Sequence, residues 1–328
     1  MLGIGMDTFG DAEVLKLVEF PDPTLQYGHV RVRVLATALN RADLLQRQGF
    51  YPPPKGESEI LGLEMAGEII ELGDGVDEWN VGDRVCALLP GGGYAEQVVV
   101  PAGMLAKIPK QMTAIEAASI PEVFLTAYSN LVWLGAIKQD DQVLIHAGAS
   151  GVGTAAIQLV QALGGQSYVT VGSNEKLDFC LQLGARDGVI YKNSSFSAHV
   201  VKWTEGHGVN IIMDFIGAPY LEDNLKSLAM DGKLIVIGTM GGADASHLSM
   251  GLLLSRRLQI LGTALRSRTL AQKMILTKEF WQFATPLFEQ GKLKPIVDKV
   301  FPLREAATAH RYMESNMNVG KIVLSVEA

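Results

Sequence analysis

The chain has 328 residues, 48% of them hydrophobic and 19% charged, with a formal net charge of −7 at pH 7. A chain of this length and composition buries enough apolar surface for two domains, so intrinsic disorder is excluded. Because no basic stripe is present to neutralise phosphates, a nucleic-acid partner is not expected.

The cysteines and the N-terminal residues bear on the cellular compartment. Cys86 and Cys180 lie far apart, with no His or Cys nearby at metal-ligand spacing, so neither a disulfide framework nor a zinc lobe is predicted. Residues 1–7 carry an early acid and lack a basic segment, and no later stretch is long enough to span a bilayer. We therefore expect a soluble, cytoplasmic protein with no membrane partner.

Short strands separated by turns are predicted in the first third of the chain. Alternating apolar and polar residues predict them at 14–19, 29–36, 65–72, 84–88, 94–100 and 105–108. Proline and glycine clusters at 21–23, 73–75 and 90–93 supply turns between them. Many short strands without crossover helices indicate a partly closed β-barrel-like domain.

After Pro121 the pattern changes to strands and helices in alternation. Helices are predicted at 123–134, 152–163, 176–183 and 221–228, and strands just before residue 148 and at 168–171, 189–190, 210–215 and 233–237. This alternation predicts a parallel sheet with right-handed crossovers. A helix at 271–289 and strand-like segments ending at 321–324 are assigned to the first domain. The predicted domains are therefore 1–122, 123–263 and the returning segment 264–328.

A glycine-rich turn between a strand and a helix is the strongest local signal for a ligand. Gly148 supplies the turn out of the strand, Gly151 keeps side chains away from a ligand, and Gly153 lets the helix pack close to the strand. Ser150 occupies the middle glycine position of the usual G-x-G-x-x-G. The turn leaves backbone N–H groups at a helix N-terminus, where a pyrophosphate is stabilised. Two interpretations stay open here: dinucleotide binding, and a steric requirement for glycine in an ordinary α/β protein.

Several short motifs occur in a fixed order ahead of this turn. They are ALNRADL at 38–44, LGLEMAG at 61–67, VGDRV at 81–85, GYAE at 93–96, AASIP at 117–121 and LTAY at 125–128. Together they resemble the medium-chain dehydrogenase/reductase superfamily, specifically its zinc-free quinone oxidoreductase branch. Within that branch, the runs at 40–49, 88–93 and 318–324 are similar to those of the tumour-suppressor-inducible quinone oxidoreductases.

The resemblance implies an α/β fold: a GroES-like, partly open β-barrel catalytic domain and a Rossmann domain with a doubly wound parallel sheet. It also implies a cofactor in the cleft and usually a homodimer. Zinc relatives carry Gly-His-Glu where this chain has Gly62, Leu63 and Glu64, and a leucine cannot ligate a metal. We therefore expect no metal site and no stoichiometric zinc in the purified protein, which elemental analysis would check.

Two residues match positions that face the nicotinamide and the substrate in this branch. Asn40 can hydrogen-bond a ribose or acceptor oxygen, and Tyr51 can donate a proton or a hydrogen bond to a developing hydroquinone oxygen. The alternatives are that Asn40 is a turn former and that the Tyr51 ring packs on the prolines at 52–54. We expect Glu64 to have a structural hydrogen-bonding role.

Further positions are assigned to the cofactor: the glycine turn and the loop at 238–242 from their place in the predicted sheet, and the others by resemblance. These are Thr126 in a helix, the glycine turn at Ser150, Gly151, Val152 and Gly153, the loop with Gly238 and Met240 after a strand, and Leu265, Arg266 and Asn318. Thr126 is otherwise an ordinary helix-interior threonine, and the loop at 238–242 is otherwise a surface loop.

The end of the second strand of the parallel sheet indicates which nicotinamide cofactor is used. An NAD-specific domain places an acid there to bind the ribose hydroxyls. Here Gly172 and Ser173 follow the strand, Lys176 lies one helical step further on, and Tyr191 matches a position that closes the same pocket. Glu175 complicates this interpretation, but a carboxylate at a helix start is also favoured by the helix dipole. Because these three side chains can donate to a 2′-phosphate and no acid follows the strand directly, the sequence predicts NADPH as the cofactor.

These observations favour an NADPH:quinone oxidoreductase that transfers hydride to a quinone without zinc. Two alternatives stay open: an NADPH-dependent reductase of α,β-unsaturated carbonyls or enoyl thioesters, and a non-catalytic NADPH-binding protein. The apolar segment at 258–265 predicts a homodimer in which strands pair between subunits, or else a core strand within one subunit.

Overall fold

The structure, a computed structural model, describes residues 1–326. The chain is divided into two compact units, one formed by Met1–Leu125 and the chain from Arg266 onward, the other by Thr126–Leu265. The domain boundaries at 122 and 263 stay a prediction. None of the helices in the described part of the chain has the length and apolar content needed to cross a membrane.

The N-terminal part of the first unit consists mainly of strands. They are β1 (Leu2–Gly5), β2 (Lys16–Glu19), β3 (His29–Ala38), β4 (Glu64–Leu72), β5 (Arg84–Leu88), β6 (Gln97–Pro101) and β7 (Leu105–Lys107). Helices α1 (Arg41–Arg47) and α2 (Ala114–Ala117) belong to this unit, and α3 (Pro121–Tyr128) begins in it and ends in the second unit. In β3 the valines at 30, 32 and 34 are buried while the arginines between them point outward, as the alternating pattern predicts.

The second unit alternates strands and helices. Its strands are β8 (Gln142–Ile145), β9 (Gln166–Val171), β10 (Asp187–Ile190), β11 (Val209–Asp214), β12 (Leu228–Val236) and β13 (Gln259–Gly262). Its helices are α4 (Gly151–Ala162), α5 (Asn174–Leu183), α6 (Phe196–Trp203), α7 (Leu221–Ser227) and α8 (Met250–Ser255). The strands form one sheet in the order β10-β9-β8-β11-β12-β13, and every pairing is parallel. Numbered within the unit, this order is 3-2-1-4-5-6, the doubly wound Rossmann order.

The chain then returns to the first unit with α9 (Leu270–Glu289), β14 (Val297–Pro302), α10 (Ala306–Glu314) and β15 (Lys321–Ser325). The first unit's main sheet has the order β14-β15-β3-β4-β5-β7, with β6 also pairing with β3, while β1 and β2 form a separate hairpin-like pair. The predicted α/β fold, with a GroES-like domain and a Rossmann domain, is confirmed.

Several predicted elements differ from those observed. The strand at 14–19 begins only at Lys16, because residues 12–14 form a 3₁₀ turn, and the strand at 94–100 begins at Gln97. The helix at 123–134 continues past Tyr128 as a π-helical turn, Ser129–Leu134. Helix α1, which lies between β3 and β4, was not predicted; it is not a crossover helix, because β3 and β4 pair antiparallel. Its seven residues contain only two leucines, too few to show helical periodicity.

Candidate active site and cofactor-binding edge

The glycine-rich turn lies at the carboxyl end of β8, where the sequence places it. Ser150 caps α4, and its Oγ accepts a hydrogen bond from the Gly153 N–H at 3.0 Å. A Cβ on Gly153 would lie 2.5 Å from the carbonyl oxygens of residues 147 and 148, so no larger residue fits. The N–H groups of Gly151 and Val152 have no acceptor among the described residues, as expected for the first turn of a helix. This turn fits a pyrophosphate.

The residues predicted to contact a 2′-phosphate lie together at the carboxyl end of β9. Ser173 caps α5 by accepting a hydrogen bond from the Lys176 N–H at 3.4 Å. The Tyr191 N–H donates to the Val171 carbonyl at 3.1 Å, and a Cβ on Gly172 would lie 3.3 Å from the Tyr191 hydroxyl. The hydroxyl of Tyr191 therefore lies over the glycine that ends the strand.

Glu175 modifies this pocket. A hydrogen bond from Ser173 lowers the pKa of the exposed Glu175 carboxyl. The Ser173 hydroxyl thus has an internal acceptor, and a negative charge stands one residue before Lys176. Glu175 therefore opposes binding of a phosphate at this place.

The loop after β12 joins the loop after β11 at the same edge of the sheet. Gly217 and Gly242 form an isolated parallel bridge, and the Met240 N–H donates to the Phe215 carbonyl at 3.1 Å. The Gly238 N–H donates a hydrogen bond to the Asp214 carbonyl at 3.3 Å, and Met240 is exposed. The predicted positions 238 and 240 therefore lie at the carboxyl edge of the parallel strands, where ligands bind in such folds.

Thr126 and Leu265 are the other predicted cofactor positions in this unit. Thr126 is buried in α3, and its carbonyl accepts hydrogen bonds from Ser129 Oγ and Asn130 Nδ2 at 3.1 and 2.7 Å. Leu265 is buried three residues beyond β13. Their contact with a cofactor stays a prediction.

A series of buried, hydrogen-bonded polar side chains, which the sequence analysis did not predict, lies behind the carboxyl edge of the parallel sheet; we call it the polar chain. His146 follows β8 directly; its Nδ1 accepts from Thr170 Oγ1 at 3.0 Å and its Nε2–H donates to Asn224 Oδ1 at 2.7 Å. Asn224 Nδ2 then donates to Asp214 at 3.2 Å, and Asp214 accepts the N–H groups of residues 216 and 217. Burial lowers the pKa of His146 to about 4 and raises that of Asp214 to about 6. The chain holds the loop after β11 in place.

In the first unit, Asn40 belongs to a buried charged cluster with Glu64 and Lys321. Lys321 Nζ lies 2.7 Å from Glu64 Oε1 and donates to Asn40 Oδ1 at 2.7 Å, while Asn40 Nδ2 donates to Glu64 Oε1 at 2.9 Å. Glu64 Oε2 also accepts the Glu122 N–H at 2.8 Å. Glu64 therefore has the hydrogen-bonding role predicted for it. The Asn40 amide is engaged by these neighbours, and its contact with a ribose or an acceptor stays a prediction.

Asp43 extends this cluster toward the returning segment. Its carboxylate accepts the N–H groups of Asn40 and Gly62 at 2.7 and 3.2 Å and the Tyr94 hydroxyl at 3.3 Å. Tyr94 Oη in turn lies 3.2 Å from Nε2 of His310 in α10. Burial raises the pKa of Asp43 to about 6 and lowers that of His310 to about 3. This chain of hydrogen bonds joins α1 to α10 within the unit.

Tyr51 and Arg266 lie against each other. The Arg266 guanidinium is centred 5.1 Å from the centroid of the Tyr51 ring, the geometry of a cation–π contact. Arg266 Nε and Nη2 donate to the Pro90 carbonyl at 3.0 and 2.7 Å, and Nη2 also donates to Gln46 Oε1 at 2.9 Å. Burial, reinforced by the negative charge of Glu122, raises the pKa of Tyr51, and Arg266 opposes the rise. The phenol is therefore protonated at neutral pH.

Asn318, the last predicted cofactor position, makes a local contact: its Nδ2 donates to the Gly320 carbonyl at 2.9 Å. Its predicted role toward a cofactor is not tested by this contact.

The residues near Glu64 do not fit a zinc ion. Leu63 is buried beside Glu64, and the carboxylate of Glu64 is held by an ammonium group. Within residues 1–326, no three His, Cys, Asp or Glu side chains are grouped closely enough to hold a metal ion. Zinc requires three or four nitrogen, sulfur or carboxylate ligands, which this cluster does not offer.

The comparisons with known proteins agree with this architecture. Residues 26–110 match the family model for the alcohol dehydrogenase GroES-like domain, and residues 183–324 match that for a zinc-binding dehydrogenase. The chain is 31% identical over 319 residues to a mycocerosic acid synthase-like polyketide synthase of Mycobacterium tuberculosis, covering 97% of this chain. It spans only 15% of that much longer protein.

Solved structures cover the whole chain. An NAD-dependent alcohol dehydrogenase is 32% identical with a TM-score of 0.86 and full coverage of both chains. The Escherichia coli quinone oxidoreductase complexed with NADPH is 28% identical, with a TM-score of 0.89 and coverage of 99% of this chain and 100% of that one. The CurK enoyl reductase is 29% identical, with a TM-score of 0.89 and coverage of 99% of each chain.

The chain therefore belongs to the medium-chain dehydrogenase/reductase superfamily. It is an oxidoreductase of that superfamily, and its relatives include both quinone oxidoreductases and an enoyl reductase.

Proposed function

We propose that this protein is a zinc-independent, NADPH-dependent quinone oxidoreductase of the tumour-suppressor-inducible branch. The observation that carries the proposal is the composition of the Glu64 cluster, in which Leu63 and the Lys321 ammonium stand where a metal-binding site would need ligands. Without a Lewis acid, an alkoxide or a polarised carbonyl loses its main stabilisation. An acceptor that takes hydride readily suits such a site better than an alcohol.

Residues of the second unit are proposed to hold the cofactor. The turn at 150–153 receives the pyrophosphate, and Ser173, Lys176 and Tyr191 receive the 2′-phosphate. When bound, NADPH supplies a hydride from its nicotinamide ring. The hydrogen bonds from His146 through Asn224 to Asp214 extend to the N–H groups of residues 216 and 217 in the loop after β11, at the same edge.

Tyr51 of the first unit is proposed to face the acceptor. Its raised pKa keeps the hydroxyl protonated, so that it donates a hydrogen bond or a proton to a developing oxyanion. Arg266 fixes the ring from one side while its guanidinium is held by the Pro90 carbonyl. We therefore assign the donation of the hydrogen bond or proton to the Tyr51 hydroxyl group, while the ring holds that group in position.

A second candidate function is reduction of an α,β-unsaturated carbonyl or an enoyl thioester. The likeness to the CurK enoyl reductase and to polyketide synthases supports it about as well as the quinone oxidoreductase structures support the first. The same protonated Tyr51 would serve either acceptor.

The test is NADPH oxidation with ortho-quinones, para-quinones, alkenals and a crotonyl thioester as acceptors. We expect turnover with quinones, and a fall in kcat of about 100-fold for Tyr51→Phe, which keeps the ring and removes the hydroxyl. Tyr27→Phe, at an exposed tyrosine of the same unit, is the matched control. Turnover of the thioester alone would favour the second function. Tight NADPH binding without any turnover would favour a non-catalytic binding protein.

We also propose that the protein is a homodimer. Strand β13 is an edge strand: among the described residues it pairs only with β12, and Ile260 on it is exposed. An exposed edge with unpaired N–H and C=O groups pairs readily with a second strand. We expect light scattering at micromolar concentration to show a dimer and Ile260→Lys to give a monomer, whereas Val201→Lys on α6 has no effect. A monomeric native protein would contradict the proposal.

A further inference from the structure

The first unit contains a cavity beside Tyr51. Its volume is about 840 Å³, which lies in the range of small-molecule binding sites. Tyr51, the proline-rich loop after it, residues 88–92, residues 97–101 and the start of α9 line the cavity. Many of these residues are apolar, so a flat electron-poor ring or an acyl chain fits among them.

One wall of the cavity is positively charged. We call Arg266, Arg268 and Lys273 the cationic wall; all three line the cavity. Glu57 is the one carboxylate among the lining residues that the structure describes, and it is exposed. Met1 also lines the cavity, and its ammonium group is paired with Asp22 at 3.0 Å. In a protein of net charge −7, this local excess of cations favours an anionic ligand.

Arg266 is buried without an ion pair. It is only 8% exposed, and its hydrogen bonds go to carbonyl and amide oxygens. None of the ion pairs found within residues 1–326 includes it. Neutral acceptors satisfy its N–H groups, and the carboxyl groups of Asp43, Glu122 and Glu57 act on its charge without forming an ion pair with it, so the charge is only partly offset in a buried place. An anion in the adjoining cavity would compensate that charge.

The start of α9 adds to the positive potential. This helix has 20 residues, and Lys273 lies in its first turn. Thr269 Oγ1 accepts the Gln272 N–H at 3.3 Å, Gln272 Oε1 accepts the Thr269 N–H at 3.1 Å, and the first turn of α9 contains no acidic residue. No carboxylate of that turn therefore offsets the positive end of the helix dipole. Leu270 and Lys273 in the first turn of α9 and the other two residues of the cationic wall therefore line the same cavity.

From these observations we infer that the acceptor carries an anionic group, a phosphate or a sulfonate, which the cationic wall binds while the electron-poor part lies beside Tyr51. This inference rests on the proposed function, since it names the chemical class of the acceptor. The anion could belong to a phosphate-bearing thioester or to a charged quinone. The shared chemistry is an electron-poor acceptor with an anionic substituent.

The test compares acceptors in matched pairs at saturating NADPH, so that the cofactor's own phosphate site is filled. The first pair is 1,2-naphthoquinone and its 4-sulfonate; the second is crotonyl N-acetylcysteamine and crotonyl coenzyme A. For each pair we measure the ratio of kcat/KM for the charged member to that for the neutral one. The neutral member serves as an internal reference for folding and for the hydride step.

We expect Lys273→Ala to lower this ratio by about 10-fold, as expected for a hydrogen bond to a charged group, and high salt to lower it in the native protein. Lys278→Ala, at an exposed lysine of the same helix outside the cavity, is the matched control. A fall in the ratio for only one pair identifies whether the anion belongs to a quinone or a thioester. A ratio unchanged by Lys273→Ala in both pairs overturns the inference, even if the neutral quinone is turned over as proposed. If no acceptor reacts, the proposed function fails. Calorimetric titration then measures the affinity of the protein for naphthalene-1-sulfonate and for the uncharged naphthalene-1-methanol. Equal affinities for the two would overturn the inference.

Discussion

Both units of this protein bury a polar cluster, but the two clusters differ in charge. In the first unit, Lys321 and Glu64 form an ion pair that shares Asn40. In the second, His146 and Asn224 are neutral, and Asp214, the last residue in this series of hydrogen bonds, bears the carboxyl group. The first cluster therefore depends on two opposite charges remaining together, whereas the second depends on a histidine remaining uncharged.

The difference reflects what each cluster supports. The charged cluster links the end of β3 to β4 and to the returning strand β15, because the Lys321 ammonium contacts both the Leu39 carbonyl and the Glu64 carboxylate. The neutral chain links β8, β9 and β11 to α7 beneath a loop at the carboxyl edge of the sheet. The uncharged histidine adds no charge at that edge, and the Asp214 carboxylate accepts hydrogen bonds from the N–H groups of residues 216 and 217 and from Asn224.

The largest expected effect is on the charged cluster. Lys321→Met leaves the Glu64 carboxylate buried without its cation, and we expect the first unit to lose about 3–5 kcal/mol of stability. Urea denaturation of the native and variant proteins measures the loss.

Two controls sharpen this prediction. The double variant Lys321→Met with Glu64→Gln removes both charges and should recover most of the loss. Lys226→Met breaks an exposed ion pair with Glu222 and should leave stability nearly unchanged. A loss for Lys321→Met no greater than that for Lys226→Met would show that the buried ion pair is not needed.

The next effect concerns the neutral chain and depends on pH. His146 has a pKa lowered to about 4 in the folded protein, against 6.5 for an ordinary histidine, so the unfolded state binds more protons between these values. The stability that its neutral form contributes is complete above about pH 6.5 and is lost as the pH falls toward 4. A shift of this size corresponds to about 3 kcal/mol.

We therefore expect His146→Gln to reduce the loss of stability between pH 6.5 and 4, although the variant is less stable at neutral pH. Thermal unfolding across this pH range is the measurement. His207→Gln replaces an exposed histidine of the same unit and should leave the slope unchanged. Equal slopes for the native protein and His146→Gln would mean that His146 does not titrate in this way.

The smallest effect is expected at the exposed pocket beside the neutral chain. Lys176→Ala removes a cation that is proposed to bind the 2′-phosphate, and we expect NADPH to bind about 10- to 100-fold more weakly, with NADH scarcely affected. Calorimetric titration with both cofactors measures the two affinities.

Glu175→Gln makes the opposite change in the same pocket. It removes the negative charge that Ser173 stabilises, so NADPH should bind more tightly. Equal losses for NADPH and NADH in Lys176→Ala, or a native preference for NADH, would place the phosphate pocket elsewhere.

The hydrophobic pattern predicted a strand or helix well where a single pattern covers that whole strand or helix. The strand at 84–88 was predicted with its observed limits, and the helix at 221–228 ends one residue earlier, at Ser227. Helix α10 was missed, although Ala306, Ala309 and Met313 are buried at helical spacing, because alanines give a weak apolar signal. The edge position of β13 was also undecided, since pairing within or between subunits leaves the same apolar pattern.

The sequence by itself determined the two-domain α/β architecture and the glycine-rich turn, because hydrophobic periodicity and glycine requirements are local properties of the chain. Only the tertiary structure decided the two polar clusters and the cationic wall. Lys321 and Asn40 are 281 positions apart, and Arg266 reaches Gln46 across 220 positions. No local pattern encodes such contacts, because they form only when packing excludes water and leaves each buried donor or charge to be satisfied by distant residues.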